Sequence, residues 1–150
     1  DGGFAQNLQE IGTVAVNKLN IKMFIAENRG YASIRTTQKA YFNGNYVGCD
    51  GETGLGLPNW ELIFRAYGVT VTRMTIDNYF SQDILKLLDN EGPQAFIVTL
   101  DPDQLYFPKL TSRVMPDGSM KSNPLHLMSP QLPASMNQEV FPYLPSKYLV

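Results

Sequence analysis

Cysteine and histidine are almost absent from the 150-residue sequence, which contains one of each, Cys49 and His126. A disulfide framework and a zinc site made of cysteine and histidine ligands are therefore excluded within one chain. A single cysteine is typical of a reducing compartment, so we expect the protein to be cytoplasmic. Neither residue has a sequence neighbour that would activate it, which favours a structural thiol and a surface or packing histidine.

Long hydrophobic runs and an excess of positive charge are also missing. No apolar segment approaches the ~20 residues that span a bilayer, and the first residues lack the basic and then apolar layout of a secretory signal. The formal net charge is −2 and the pI is about 5.3, which does not provide the basic surface that a nucleic-acid partner requires. We therefore expect a soluble protein without a nucleic-acid or membrane partner.

The first 100 residues alternate between helix-like and strand-like patterns. Apolar residues recur at helical spacing from Phe4 to about Lys18, and the apolar run Ile21 to Ala26 predicts a central parallel strand. Further helices are predicted over 33–42, 60–67 and 79–88, strands over 69–74 and 95–100, and a glycine-rich loop over 43–59. In the second of these helices the apolar residues recur at helical spacing and Gly68 is expected to end it, and the third is predicted to face inward with Phe80, Ile84, Leu87 and Leu88; the spaced residues of the second are Trp60, Ile63, Phe64 and Tyr67. This order predicts an α/β fold, a doubly wound parallel sheet with helices on both faces.

The composition changes after Asp101, because eight of the ten prolines lie beyond it. Such a segment is not expected to be regular, yet it carries too many apolar residues for free disorder. We therefore predict an α/β domain over residues 1–101. Residues 102–150 are predicted to form an extended, irregular arm that packs on the domain or on a partner subunit.

Two glycines, Gly2 and Gly3, stand directly before the first predicted helix. Glycines at a helix start allow backbone N–H groups to approach a phosphate closely, which predicts a diphosphate site. A flexible chain end is the alternative interpretation of the same pair. Ligands of a doubly wound sheet bind outside the carboxyl ends of its strands, so these glycines should lie near the end of the first strand.

That strand ends in Glu27-Asn28-Arg29-Gly30. Magnesium prefers oxygen ligands, and Asp1, the side-chain oxygen of Asn28 and a carbonyl near Gly30 would provide them. Each residue has an alternative interpretation, since Asp1 could be solvated and Asn28 could cap a turn. Tyr31, which follows, is equally compatible with a core position and with a contact to a cofactor.

Both segments together resemble the cofactor-binding motif of thiamine diphosphate enzymes, G-D-G followed one strand later by an asparagine. Asp1-Gly2 matches the end of G-D-G, and Asn28 matches the asparagine. The resemblance continues through NLQEI, NRGYASIR and EGPQAFIV and covers about the first 100 residues. The sequence is most similar to acetolactate synthase-like proteins, and FPKLTSRVMPDGSMKSNPLHLMSP is similar to the tail of relatives found among bacterial surface-polysaccharide genes. In the family the strand often ends in two asparagines (N-N), and true acetolactate synthases commonly have a Q-W-Q stretch after it. Here Glu27 replaces the first asparagine and Thr37 replaces the tryptophan. The resemblance therefore does not imply that acetolactate is the product.

The resemblance implies a site for thiamine diphosphate and Mg²⁺ in this domain. Its metal ligands would be Asp1, Asn28 and Gly30, and its cofactor contacts Gly2, Gly3, Asn28, Gly30 and Tyr31. In this family the thiazolium carbon of the cofactor attacks a 2-oxo acid, carbon dioxide leaves, and the remaining fragment passes to an acceptor.

The resemblance also implies a homodimer or tetramer. The family's glutamate that activates the aminopyrimidine ring belongs to another domain, usually of a partner subunit, and neither Glu10 nor Glu27 substitutes for it. The isolated chain is therefore expected to be inactive. The alternative function is a non-catalytic fragment that serves as an oligomerisation or interaction module.

Overall fold

The computed structural model describes residues 1–145 and divides the chain into two compact units, Asp1–Gln104 and the segment from Leu105 onward. The first unit contains five helices and three strands. In chain order they are α1 (Gly2–Ala5), α2 (Glu10–Val16), β1 (Lys22–Glu27), α3 (Ala32–Tyr41), α4 (Trp60–Ala66), β2 (Thr70–Met74), α5 (Gln82–Asp89) and β3 (Gln94–Thr99). The predicted α/β pattern is confirmed, whereas the placement of helices on both faces of the sheet stays a prediction.

The three strands form a parallel sheet in the order β1-β3-β2. The prediction of a central strand over residues 21–26 is wrong, because within residues 1–145 β1 pairs on one side only. β3 takes the central place, and its residues from Gln94 to Ile97 are all buried. Phe24 of β1 is 52% exposed. A short apolar run does not distinguish an edge strand from a central one, since both can carry consecutive apolar residues.

One face of the sheet packs on a single apolar cluster. Ile25 of β1 and Ile97 of β3 contribute to it, together with Trp60 and Phe64 of α4. The ring of Phe4 lies 5.6 Å from that of Trp60 and 5.8 Å from that of Phe64. The short helix α1 is thereby fixed to the core, although it has only four residues.

Two predicted helices differ from the observed ones. The helix predicted from Phe4 to about Lys18 is two helices, because residues 6 to 10 form tight i to i+3 turns in place of α-helical bonds. The helix predicted from residue 79 begins at Gln82, since the Ser81 hydroxyl accepts from the Ile84 N–H and caps it. Ile84 is buried as predicted, but Phe80 precedes the cap and is 74% exposed, so its predicted inward position is wrong.

The second unit has regular structure, and the prediction of an irregular arm is wrong in this respect. Strands β4 (Ser112–Val114) and β5 (Met120–Ser122) form an antiparallel hairpin, and α6 spans Ala134–Val140. The prolines are accommodated because they lie outside these elements. Pro116 is in the hairpin turn, and Pro133 stands directly before α6. Residues 146–150 of the predicted arm lie outside the described residues.

The hairpin turn contains a carboxylate with a lowered pKa. Asp117 Oδ1 accepts from the hydroxyl of Ser119 at 2.6 Å and from its backbone N–H at 2.9 Å. The hydroxyl bond is the largest cause of the low pKa of Asp117, since both donors favour the charged form. The contact therefore supports the turn at neutral pH and is lost as pH falls through the depressed pKa.

We expect Ser119→Ala to raise the pKa of Asp117 towards its ordinary range. The measurement is an NMR titration of the Asp117 carboxyl carbon. Ser122→Ala is the matched control, because Ser122 lies in the same hairpin and its hydroxyl contacts Ser112 instead. An unchanged Asp117 titration in Ser119→Ala would show that the hydroxyl does not hold the carboxylate.

Candidate metal centre

The first residue of the chain lies against the carboxyl end of β1. The Asp1 nitrogen donates to the Ala26 carbonyl at 2.7 Å. The Asp1 side chain accepts from the Gly2 N–H at 2.7 Å and caps α1. These contacts turn the Asp1 carboxylate towards Asn28, the residue that follows β1. The structure thus brings together two predicted site residues that are far apart in the sequence.

The side-chain amide of Asn28 faces two oxygen atoms. One of its two terminal atoms lies 2.8 Å from the Gly30 carbonyl oxygen and 3.0 Å from Asp1 Oδ1. If that atom is nitrogen, the amide donates to both oxygens. If it is oxygen, three oxygens face one another. The choice between N and O of an amide depends on its surroundings, and a cation among the three atoms favours the oxygen.

The two separations from the Asn28 amide are compatible with magnesium as well as with hydrogen bonds. In an octahedral complex with Mg–O distances of ~2.1 Å, neighbouring ligand oxygens lie about 3.0 Å apart. The observed separations of 2.8 Å and 3.0 Å are close to this value. In addition, Asp1 Oδ2 is buried and has no hydrogen-bond partner within residues 1–145. An unpaired buried carboxylate oxygen is unfavourable, and a cation at this place would neutralise it.

The three donor groups are of the kind that a hard cation prefers as ligands. The set is one carboxylate, one amide and one backbone carbonyl, which suits Mg²⁺ and not the softer metals that prefer thiolate or imidazole. Across the described part of the chain, no group of three or more His, Cys, Asp and Glu residues could hold a metal ion. A magnesium ion here would complete its coordination with phosphate oxygens and water, as it commonly does in proteins.

Gly30 lies in a backbone position that excludes other residues. Its φ is +146°, and an added Cβ would stand 2.1 Å from the Cys49 carbonyl oxygen. Gly30 forms an antiparallel bridge with Asp50, and the N–H of Tyr31 donates to Cys49 O at 2.8 Å. The buried Cys49 thus belongs to the loop segment that fixes the Gly30 carbonyl.

The other predicted cofactor contacts have different environments. Gly2 is buried under the ring of Tyr31, and a Cβ added to Gly2 would lie 2.6 Å from Tyr31 Cδ1. The Tyr31 hydroxyl accepts from Gln6 Nε2 at 3.1 Å, so the ring packs on α1. Gly3 is exposed, with nothing within 4 Å of an added Cβ. A phosphate could approach Gly3, and its contact with the cofactor stays a prediction.

Next to Asn28 and Gly30 lies a polar group that the sequence did not predict. Arg35 is 8% exposed, and its Nη2 donates to the Asn28 carbonyl at 3.0 Å and to the Pro102 carbonyl at 2.7 Å. Its Nη1 is 3.8 Å from Asp50 Oδ2. Asp50 Oδ1 accepts from the Thr53 hydroxyl and N–H, and the hydroxyl bond is the main cause that lowers the pKa of Asp50.

A second polar group joins the strand ends. Arg73 of β2 donates to Glu27 Oε2 at 2.5 Å, to Glu61 Oε1 at 2.8 Å and to Thr99 Oγ1 at 3.0 Å. The bond to Glu27 is the largest cause that raises the pKa of Arg73. The group links all three strands and α4 at the carboxyl edge of the sheet. No spacing rule connects these residues in the sequence, so their association is visible only in the structure.

Three cavities open near the carboxyl ends of the strands, and one of about 490 Å³ is lined by Arg29, Arg35, Asp50 and Pro102, among others. A cleft of about 540 Å³ is lined by Glu27, Arg29, Leu57 and Trp60, among others. An apolar pocket of about 260 Å³ lies at the ends of β2 and β3 and includes Met74 and Val98. None of the three cavities is lined by Asp1 or Asn28, so the candidate site rests on the contacts among Asp1, Asn28 and Gly30.

Comparison with known proteins is consistent with this geometry. The family described as "Thiamine pyrophosphate enzyme, C-terminal TPP binding domain" matches residues 1–98. The chain belongs to this family. Thiamine diphosphate with Mg²⁺ is the usual cofactor pair of such domains. Among residues 1–145, no helix is long and apolar enough to cross a membrane.

The most similar curated proteins include acetolactate synthases. The large subunit from Cyanidium caldarium is 30% identical over 93 residues, which cover 62% of this chain and 16% of that protein. The isozyme 2 large subunit from Escherichia coli (strain K12) is 26% identical over 130 residues, or 86% of this chain and 22% of that protein. The chain therefore spans less than a quarter of the length of these relatives. The resemblance to acetolactate synthase-like thiamine diphosphate domains is confirmed.

Proposed function

We propose that this chain is the magnesium- and thiamine diphosphate-binding domain of an acetolactate synthase-like enzyme that acts on 2-oxo acids. The observation that carries the proposal is the cluster of Asp1 Oδ1, the Asn28 amide and the Gly30 carbonyl, with separations of 2.8 Å and 3.0 Å. The unpartnered Asp1 Oδ2 beside it supports the same assignment. The similarity to acetolactate synthases supports the class of substrate.

Each residue has a defined part in this proposal. Asp1, Asn28 and Gly30 hold Mg²⁺, and the metal carries the diphosphate of the cofactor, for which Gly3 leaves open space. Tyr31 orders Gly2 and the start of α1 by packing. When bound, the cofactor supplies the carbon nucleophile that allows a 2-oxo acid to lose carbon dioxide. The protein contributes binding and orientation, and we propose a cytoplasmic setting for it.

The proposal is tested by a thermal unfolding experiment with four ligand conditions. We expect Mg²⁺ and thiamine diphosphate together to raise the Tm by about 5–10 °C when both are present at ~100 times their dissociation constants, which corresponds to about 2.7 kcal/mol. Mg²⁺ alone, thiamine diphosphate with EDTA, and Mg²⁺ with thiamine should leave the Tm nearly unchanged. An equal shift with and without Mg²⁺ would contradict the metal site. No shift in any condition would favour an oligomerisation or interaction module.

We expect the purified chain to bind the cofactor without turning over a 2-oxo acid. Proton removal from the cofactor needs a glutamate from another domain or subunit, and general acid–base contributions are typically ~10²–10⁴-fold. The measurement is carbon dioxide release from pyruvate in the presence of Mg²⁺ and thiamine diphosphate. Robust release by this chain would contradict a divided active site.

We also propose that the protein forms a homodimer or tetramer. A light-scattering measurement that gives the mass of one chain would contradict this proposal.

A further inference from the structure

We infer that Arg35 is a positioning residue that holds the proposed magnesium ligands in place. The inference rests on the proposed function, because the ligands it concerns are the Asn28 amide and the Gly30 carbonyl. Arg35 contacts neither of these ligand atoms. It acts on the main chain that carries them, and it lies in the first turn of α3, seven residues after Asn28.

The first contact is with the backbone of Asn28 itself. Arg35 Nη2 donates to the Asn28 carbonyl at 3.0 Å, and the same nitrogen donates to the Pro102 carbonyl at 2.7 Å. One guanidinium nitrogen therefore ties the end of β1 to the segment after β3. This bond holds the peptide plane after Asn28, which lies two peptide units before the Gly30 carbonyl.

The second contact is with the residue that pairs with Gly30. Arg35 Nη1 lies 3.8 Å from Asp50 Oδ2, and Asp50 forms the antiparallel bridge with Gly30. Thr53 donates twice to the other oxygen of Asp50, at 3.0 Å and 2.8 Å. Arg35 thus reaches both flanks of the ligand segment, one through a carbonyl and the other through a carboxylate.

Arg35 is a buried charged residue whose position is fixed by its partners. A charged side chain that is 8% exposed is unfavourable unless its partners compensate for the lost water. Its partners here are two neutral carbonyls and one carboxylate at 3.8 Å, which do not form a close ion pair. Removing Arg35 alone would leave these acceptors without their donor and is expected to destabilise the fold, so its effect on ligand position has to be measured on folded variants. The planar guanidinium presents several N–H donors in a fixed, forked arrangement that suits these three acceptors. A lysine ammonium is a single charged group without this arrangement.

The test is the affinity for Mn²⁺ in the presence of saturating thiamine diphosphate, measured from the EPR signal of free Mn²⁺. We expect Arg35→Met and Arg35→Lys each to weaken Mn²⁺ binding by about 10–100-fold, the usual effect of losing a residue that orients a ligand. Both variants are measured at a temperature at which circular dichroism shows them fully folded. Arg35→Lys keeps the experiment interpretable if Arg35→Met does not fold.

Two matched controls separate positioning from charge and from general destabilisation. Arg65→Met removes the same charge from an exposed position on α4, and Ile84→Val weakens the core at α5. Both should bind Mn²⁺ as the unchanged protein does. If the folded Arg35 variants also bind Mn²⁺ normally while Asn28→Ala does not, the positioning role is overturned and the proposed function stands. If the unchanged protein binds no Mn²⁺ with thiamine diphosphate, both are overturned.

Discussion

Asn28→Ala should weaken the binding of Mg²⁺ with thiamine diphosphate by at least about 100-fold, because even residues that only orient metal ligands commonly contribute 10–100-fold. The substitution removes the atom that lies 2.8 Å from the Gly30 carbonyl and 3.0 Å from Asp1 Oδ1. A loss of this size corresponds to about 2.7 kcal/mol or more of binding free energy. Isothermal titration calorimetry of thiamine diphosphate at fixed Mg²⁺ measures it directly.

A second substitution at the same position distinguishes the two amide orientations. Asn28→Asp keeps an oxygen for a metal but removes the N–H donors, so it should retain metal-dependent cofactor binding. Asn59→Ala serves as the control for lost stability, because the Asn59 side chain caps α4 by accepting from the Leu62 N–H at 3.0 Å. It should lower the Tm and leave binding unchanged. Equal binding by Asn28→Ala and the unchanged protein would rule out Asn28 as a ligand.

Gly30→Ala should disrupt the site and destabilise the fold by more than about 3 kcal/mol. Two effects combine, since a residue with a side chain is strained by about 1–3 kcal/mol in such a backbone conformation and its Cβ would stand 2.1 Å from the Cys49 carbonyl oxygen. The clash involves backbone atoms, so a side-chain rotation cannot relieve it. Urea unfolding monitored by circular dichroism measures the loss.

Two other glycines provide matched controls for Gly30→Ala. Gly54 has a φ of +102° but nothing within 4 Å of an added Cβ, so Gly54→Ala reports the backbone strain alone. Gly3 has neither a positive φ nor a close neighbour, so Gly3→Ala should leave stability nearly unchanged. If Gly30→Ala were no more destabilised than Gly54→Ala, the close approach to Cys49 would not constrain the loop.

Local patterns in the sequence are sufficient to predict most of the helices and strands of the first unit. The apolar spacing of α4 predicted the buried Trp60 and Phe64, and Gly68 ends that helix with a φ of +74° as expected. The strand order was not accessible in the same way, because pairing depends on contacts between distant segments. The regular structure after residue 104 could not be predicted in this way, because a high proline content disfavours helices and strands, whereas these prolines lie between the elements.

In the candidate site, too, some residues could be predicted from a sequence motif, whereas others are recognised only from contacts between segments that are distant in the sequence. Asp1 and Asn28 could be proposed as a pair because a known motif relates them. Arg35 and Arg73 had no such signal, since each acts through atoms of segments that are distant in the sequence. A buried arginine seven residues after a candidate ligand becomes informative only when its hydrogen-bond partners are known.

The Asn28 amide can face Gly30 O and Asp1 Oδ1 in two orientations, one suited to the site without a cation and one suited to the site with a cation. Without a cation, the NH₂ group can donate to Gly30 O at 2.8 Å and to Asp1 Oδ1 at 3.0 Å, so the carboxylate and the carbonyl stay together instead of repelling each other. With a cation, a half-turn of the amide replaces the NH₂ group by oxygen at nearly the same place. The ligands would therefore be preorganised, and metal entry would require the exchange of two hydrogen bonds and one side-chain torsion, with no rearrangement of the backbone.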